Sequence, residues 1–142
     1  MISATITGGT QLAAGLGRFD KEAAQAIKTA VDQTALAVES DAKKKLKADG
    51  HIITGRLFSS IHAETKEGQS FTYTSRGGSS YNGSLGQKIA KDESIAGTNV
   101  EYGPSIEYDK DSFLGWAALQ QKDKLVNRIK TELNKIVKKY SR

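Results

Sequence analysis

Gly97-Thr-Asn-Val-Glu-Tyr-Gly-Pro-Ser-Ile-Glu-Tyr108, with Ser112-Phe-Leu114 close behind, carries the passage from sheet to terminal helix in this chain. Val100 and Tyr102, then Ile106 and Tyr108, alternate with polar or small residues, the period of a half-buried strand. Gly103-Pro104 interrupts them, and a proline there removes a ladder donor from any central strand. The stretch therefore reads as strand, tight turn and strand, leading into a long amphipathic helix. It contains no catalytic pattern.

Outward from this stretch, the chain organises as one domain over residues 1–142. Ile2 to Thr7 alternates as a short strand closed by Gly8-Gly9, and Thr10 caps a brief helix through Leu12 and Leu16. Asp20 is an N-cap for a long helix in which Ala23, Ile27, Ala30, Val31, Ala35, Val38, Ala42 and Leu46 recur at helical spacing, ending at Asp49-Gly50. Thr54 to Ile61 reads as a capped helical turn, and Ile61–Lys66 with Phe71–Ser75 as a hairpin. A Gly/Ser-rich loop over 76–93 follows, expected to be flexible and free of regular structure, so that deleting residues 77–86 should spare the fold. The last helix runs from about Phe113 to Tyr140. The sum is an α+β domain: a small antiparallel sheet packed against a long helix in the N-terminal half and a long C-terminal helix.

Composition closes several routes to function. The chain has no cysteine, which removes disulfides, thiolate zinc sites and cysteine nucleophiles together. Its two histidines, His51 and His62, have no acidic residue at a ligand-like spacing from both, so neither a metal nor a cofactor is expected. Ser59-Ser60 near His62 lacks a nucleophile elbow and a third triad member. The glycine pairs lack the Gly-Lys-Ser/Thr or Gly-x-Gly-x-x-Gly continuation of phosphate-binding loops. The expectation is a protein that is not an enzyme. No apolar run approaches the length of a membrane span, so no membrane contact is expected either.

Charge is uneven. Residues 122–142 hold eight cations against Asp123 and Glu132, a net +6 within a chain whose total is +5. Such a helix either presents a solvated face whose cations suit the negative end of its dipole, or attracts nucleic acid, an acidic partner or anionic lipid. In the central loop Arg76, Lys88 and Lys91 are too sparse for sequence readout but suit a surface past which DNA moves unread. Phe113, Leu114 and Trp116 precede the main apolar stripe of the last helix and, with Tyr81, are candidates for a subunit interface, burial in the monomer being the alternative fate.

With these residues in place, the chain resembles the small neck proteins of long-tailed phages, the head–tail joining or tail-completion family. The likeness rests on the opening strand with Gly8-Gly9 and its short helix, the long Ala-rich helix, Thr54-Gly55-Arg56-Leu57 with Ser60-Ile61, and Gly97 to Glu107 with Phe113-Leu114. Gly103 stands where the family usually has alanine, Asp109 replaces a common glycine, and Ser112 replaces the proline before Phe113. The resemblance implies a structural virion protein of the neck, assembled in the host cytoplasm. It would join the capsid and portal side to the tail tube as part of a cyclic ring around the DNA channel, sixfold to match the tube. Its partners would be copies of itself, neighbouring head-completion and tail proteins, and genomic DNA passing non-specifically. The alternative from the residues alone is a small basic nucleic-acid-binding protein using the C-terminal helix.

Overall fold

The computed structural model describes residues 2–6, 21–51, 55–66, 72–74, 80–82, 84–110 and 112–140, with side chains at 72–74, 80–82, 109, 110 and 140 outside the description. The elements are β1 (Ile2–Ile6), α1 (Lys21–Ala48), α2 (Arg56–Ser60), β2 (His62–Thr65), β3 (Thr72–Thr74), β4 (Ser80–Asn82), β5 (Ser94–Thr98), α3 (Gly103–Ser105), a π-helical turn (Ile106–Lys110) and α4 (Leu114–Tyr140). This is the expected α+β arrangement. The brief helix after Thr10, the Asp20 cap and the Gly8-Gly9 turn fall outside the described residues.

The main sheet has order β1-β5-β2, both pairs antiparallel, with Ala96 opposite Ala4 on one side and Ala63 on the other. Ile2, Ile6, Ala63 and Ala96 join the core, together with Val31, Val38, Ala42 and Leu46 of α1 and Leu114 and Ala117 of α4. The alanines of α1 let its backbone lie close over the sheet. The helix stops as the sequence indicates: Gly50 takes φ 75°, and His51 N–H reaches back to Leu46 O at 3.1 Å.

α4 runs antiparallel to α1, its polar register set by three contacts along their length. Lys139 Nζ donates to Glu22 at 2.9 Å, Arg128 Nη1 to Thr34 Oγ1 at 3.1 Å, and Gln121 Nε2 to Asp41 Oδ2. Gln121 is buried, and its Oε1 accepts from Arg128 Nη2 at 2.8 Å. A slip of either helix would leave these groups unpaired, so the seam fixes register more than it adds stability.

Two local expectations are corrected. The strand of the Gly97–Tyr108 stretch is Ser94–Thr98, ending before the alternation begins, and Gly103 to Lys110 is helical and π-helical. Pro104 sits in the first turn of α3, where a missing N–H costs nothing. Tyr102 and Ile106, which read as strand residues, are one helical turn apart, with Ile106 N–H donating to Tyr102 O at 3.3 Å. The second correction concerns pairing: β2 lies against β5, and β3 pairs β4 with Tyr73 opposite Tyr81. Ile61 and Ala63 are buried and hold β2 in the core sheet, whereas Thr72-Tyr-Thr has no aliphatic residue to compete for that place.

Candidate functional site

Two of the expected interface residues are core residues. Phe113 and Leu114 are buried within the monomer and present no surface to a partner. Trp116 is 37% exposed, with Lys45 Nζ 5.8 Å from its ring centre, and remains accessible at the start of α4. Arg76 and the side chain of Tyr81 lie outside the described residues. Lys88 and Lys91 are exposed, and Lys91 lines a cleft of about 390 Å³ with Lys21, Lys28 and Asp92. Lys28 is engaged there by Asp32 at 2.7 Å.

Lys88 follows a strap, residues 84–87, anchored across the outer face of the sheet, and Lys91 lies beyond it beside α1. Leu85 is buried and its N–H donates to Glu64 Oε1 at 2.9 Å. Asn99 Nδ2 donates to Ser84 O at 3.0 Å, and Gln87 Nε2 to Ser3 Oγ at 3.2 Å. These anchors reach from β1 to β2, with Gly86 at φ 65° turning the chain between them. Part of the expected structureless loop is thus β4, and part is fastened to the sheet. A deletion running to residue 86 removes a buried anchor, so one that spares the fold must stop short of Ser84.

Beneath the strap lies a polar pair that sequence reading missed. His62 and Glu64 alternate onto the same face of β2, and both are buried. His62 Nδ1–H donates to Ser60 O at 2.8 Å, since a carbonyl only accepts, and Nε2 meets Glu64 Oε1 at 2.7 Å. Both ring nitrogens are therefore engaged. Ser60 Oγ donates to Leu57 O at 2.8 Å and contacts Thr98 Oγ1 at 2.6 Å, not the imidazole. Ser60, His62 and Glu64 thus make a structural network in which the serine hydroxyl does not meet the imidazole, unlike a nucleophile–base relay. The available signal was the i, i+2 spacing of His and Glu in a predicted strand. One oxygen, Glu64 Oε1, takes both Leu85 N–H and His62 Nε2, so replacing Glu64 by Gln keeps an oxygen there but removes the charge that strengthens both contacts. We expect a loss of about 1–2 kcal/mol and faster amide exchange at Leu85, read by denaturation and hydrogen exchange.

The segments Gly55 to Ile61 and Gly97 to Glu107 meet at the Thr98 end of β5. Gly55 holds φ 77° at the start of α2, and Leu57 enters the core. Arg56 binds Glu101 through Nη1 and Nη2 at 3.2 and 3.1 Å, and its guanidinium lies 5.8 Å from the Tyr102 ring centre. A Cβ on Gly103 would stand 3.2 Å from Thr98 Cγ2 and 3.3 Å from Ile2 Cγ2, so alanine there requires those two side chains to give by a few tenths of an ångström. Glu107 folds forward onto the first turn of α4, accepting from Phe113, Leu114 and Gly115 N–H groups, each at 2.9 Å. Ser112 Oγ–H donates to Glu107 Oε1 at 2.8 Å and Ser112 Oγ accepts from Trp116 N–H at 3.2 Å, a bridge proline could not supply.

Among the described residues, no group of three or more His, Asp or Glu is placed to hold a metal ion, and no helix is long and apolar enough to cross a membrane. Compared with known proteins, the chain matches no family model, no curated protein and no solved structure.

Proposed function

We propose that the chain is a structural virion protein of a long-tailed phage, joining the capsid and portal side to the tail tube as one subunit of a ring around the DNA channel. The observation that carries this reading is the order and spacing of short motifs along the chain, two of which meet in space through Arg56 and Glu101. Support also comes from Glu107 and Phe113-Leu114, which act as one unit: the acid caps the helix whose first residues seat the core. The protein works by surface complementarity and carries out no reaction. Lys88, after the strap, and Lys91, beside α1, face passing phosphates or a neighbouring subunit, and Trp116 meets a neighbour at the start of α4. A sixfold ring matches the tail tube.

Interrupting the gene in the phage that carries it should leave filled heads and finished tails unjoined, counted by electron microscopy. Normal yields of intact particles would overturn the reading. The basic α4 favours the competing function, a nucleic-acid-binding protein. That function requires purified protein to bind duplex DNA tightly at low salt, with affinity falling steeply as salt rises.

A further inference from the structure

Leu119, Val126 and Val137 of α4 are 70%, 52% and 55% exposed, although each is a large aliphatic residue. At about 3.6 residues per turn, these three and the half-buried Leu133 fall within roughly 40° of one line along the helix. The inner face of α4, through Leu114, Ala117, Leu125 and Ile129, already packs on the core, so this line is a second apolar stripe beside the first. Lys122 and Lys130 bracket it, and Asp123 is the nearby acid.

The stripe opens onto a groove. Thr5 and Ile6 of β1 with Ala118, Leu119, Lys122 and Leu125 of α4 line a volume of about 260 Å³. β1 is an outer strand of its sheet, so the groove lies at the sheet's margin. We propose that this groove and stripe form the docking surface for an acidic amphipathic helix of a partner protein, independently of whether the chain sits in a phage neck.

Length argues for a helix. Leu119 to Val137 spans about 27 Å at about 1.5 Å per residue, whereas the five residues of β1 offer an added strand only about 17 Å. Spacings of seven residues from Leu119 to Val126 to Leu133 match the seam of two helices packed side by side. Charge argues for acid on the partner, because Lys122 and Lys130 lie where the flanking positions of a docked helix would fall. A second copy does not supply that helix: α1 carries six lysines against four acids, and α4 is strongly basic. Nucleic acid has no use for an aliphatic line, since its affinity comes from phosphate neutralisation.

The probe is a fluorescein-labelled synthetic helix with leucine at the seam positions and glutamate at the flanking ones, titrated with the full chain and followed by anisotropy. Saturable binding is expected, weakened at least about tenfold by Val126→Asn or Leu119→Asn and by the pair Lys122→Glu with Lys130→Glu. The exposed positions of these residues should leave circular dichroism unchanged. The proposal is overturned if the stripe variants bind as the parent does, or if a peptide with lysine replacing glutamate binds equally well. It also falls if Val126→Asn abolishes self-association in sedimentation velocity, which assigns the face to a second copy. Loss of binding to duplex DNA or to phosphatidylserine vesicles in that variant, without loss of peptide binding, would assign it to nucleic acid or membrane instead.

Discussion

Alanine at position 97 is expected to cost about 3 kcal/mol or more, enough to leave a marginal domain largely unfolded. Gly97 sits in β5, the central strand, opposite Ser3 on one side and His62 on the other. A Cβ built there would stand 2.6 Å from Ile2 O and 2.6 Å from Ser3 Cα, both backbone atoms. A side chain can swing aside, but a paired strand moves only with its ladder. Relief therefore requires β1 to separate from β5, which also draws Ile2 and Ile6 out of the core. Urea denaturation and soluble yield measure the effect. A midpoint matching the parent would show that β1 tolerates displacement and that its closeness to β5 is not required.

Glu107→Ala is expected to cost about 2–3 kcal/mol and to fray the start of α4. The first N–H groups of a helix have no partners within it. Here one carboxylate takes three of them and Ser112 takes the next. Acceptance by an ionised group is stronger than by a neutral one, and negative charge also suits this end of the helix dipole. Glu107→Gln keeps one carbonyl oxygen and should lose less, about 1–2 kcal/mol. Gly115 belongs to the same device, because a Cβ there would lie 2.9 Å from Glu107 Oε1 and 2.9 Å from Ser112 Oγ. Hydrogen exchange gives the sharper test. Phe113 to Trp116 amides should lose protection in the alanine variant while the middle of α1 keeps it, and equal loss throughout would show only a general destabilisation.

These residues also show why parts of the fold were legible and others hidden. The long helices announced themselves because amphipathic periodicity over more than twenty residues is hard to produce otherwise. The Asp49-Gly50 stop was equally plain, since a left-handed residue after a helix calls for glycine. β5 was hidden because Ser94-Ile-Ala-Gly-Thr98 is buried throughout, and a strand covered on both faces shows no alternation. The apparent strand beyond Val100 had the right period by coincidence, Tyr102 and Ile106 being equally one helical turn apart. Glu107 escaped notice because it lies six residues before Phe113, outside the spacing of an ordinary capping box. Only the wide turn of Ile106–Lys110 brings it back to the helix end.

By itself the sequence determined the fold class, the two long helices with their inner faces, and the surplus of cations on the last one. Those properties follow from local periodicity and composition, which each segment carries alone. Tertiary structure decided which strands pair, the fastening of the strap over His62 and Glu64, and the burial of Phe113 and Leu114. It also decided the exposure of Leu119, Val126 and Val137. Each of these depends on what lies opposite a residue in space, and local sequence pattern does not fix which distant segment fills that place.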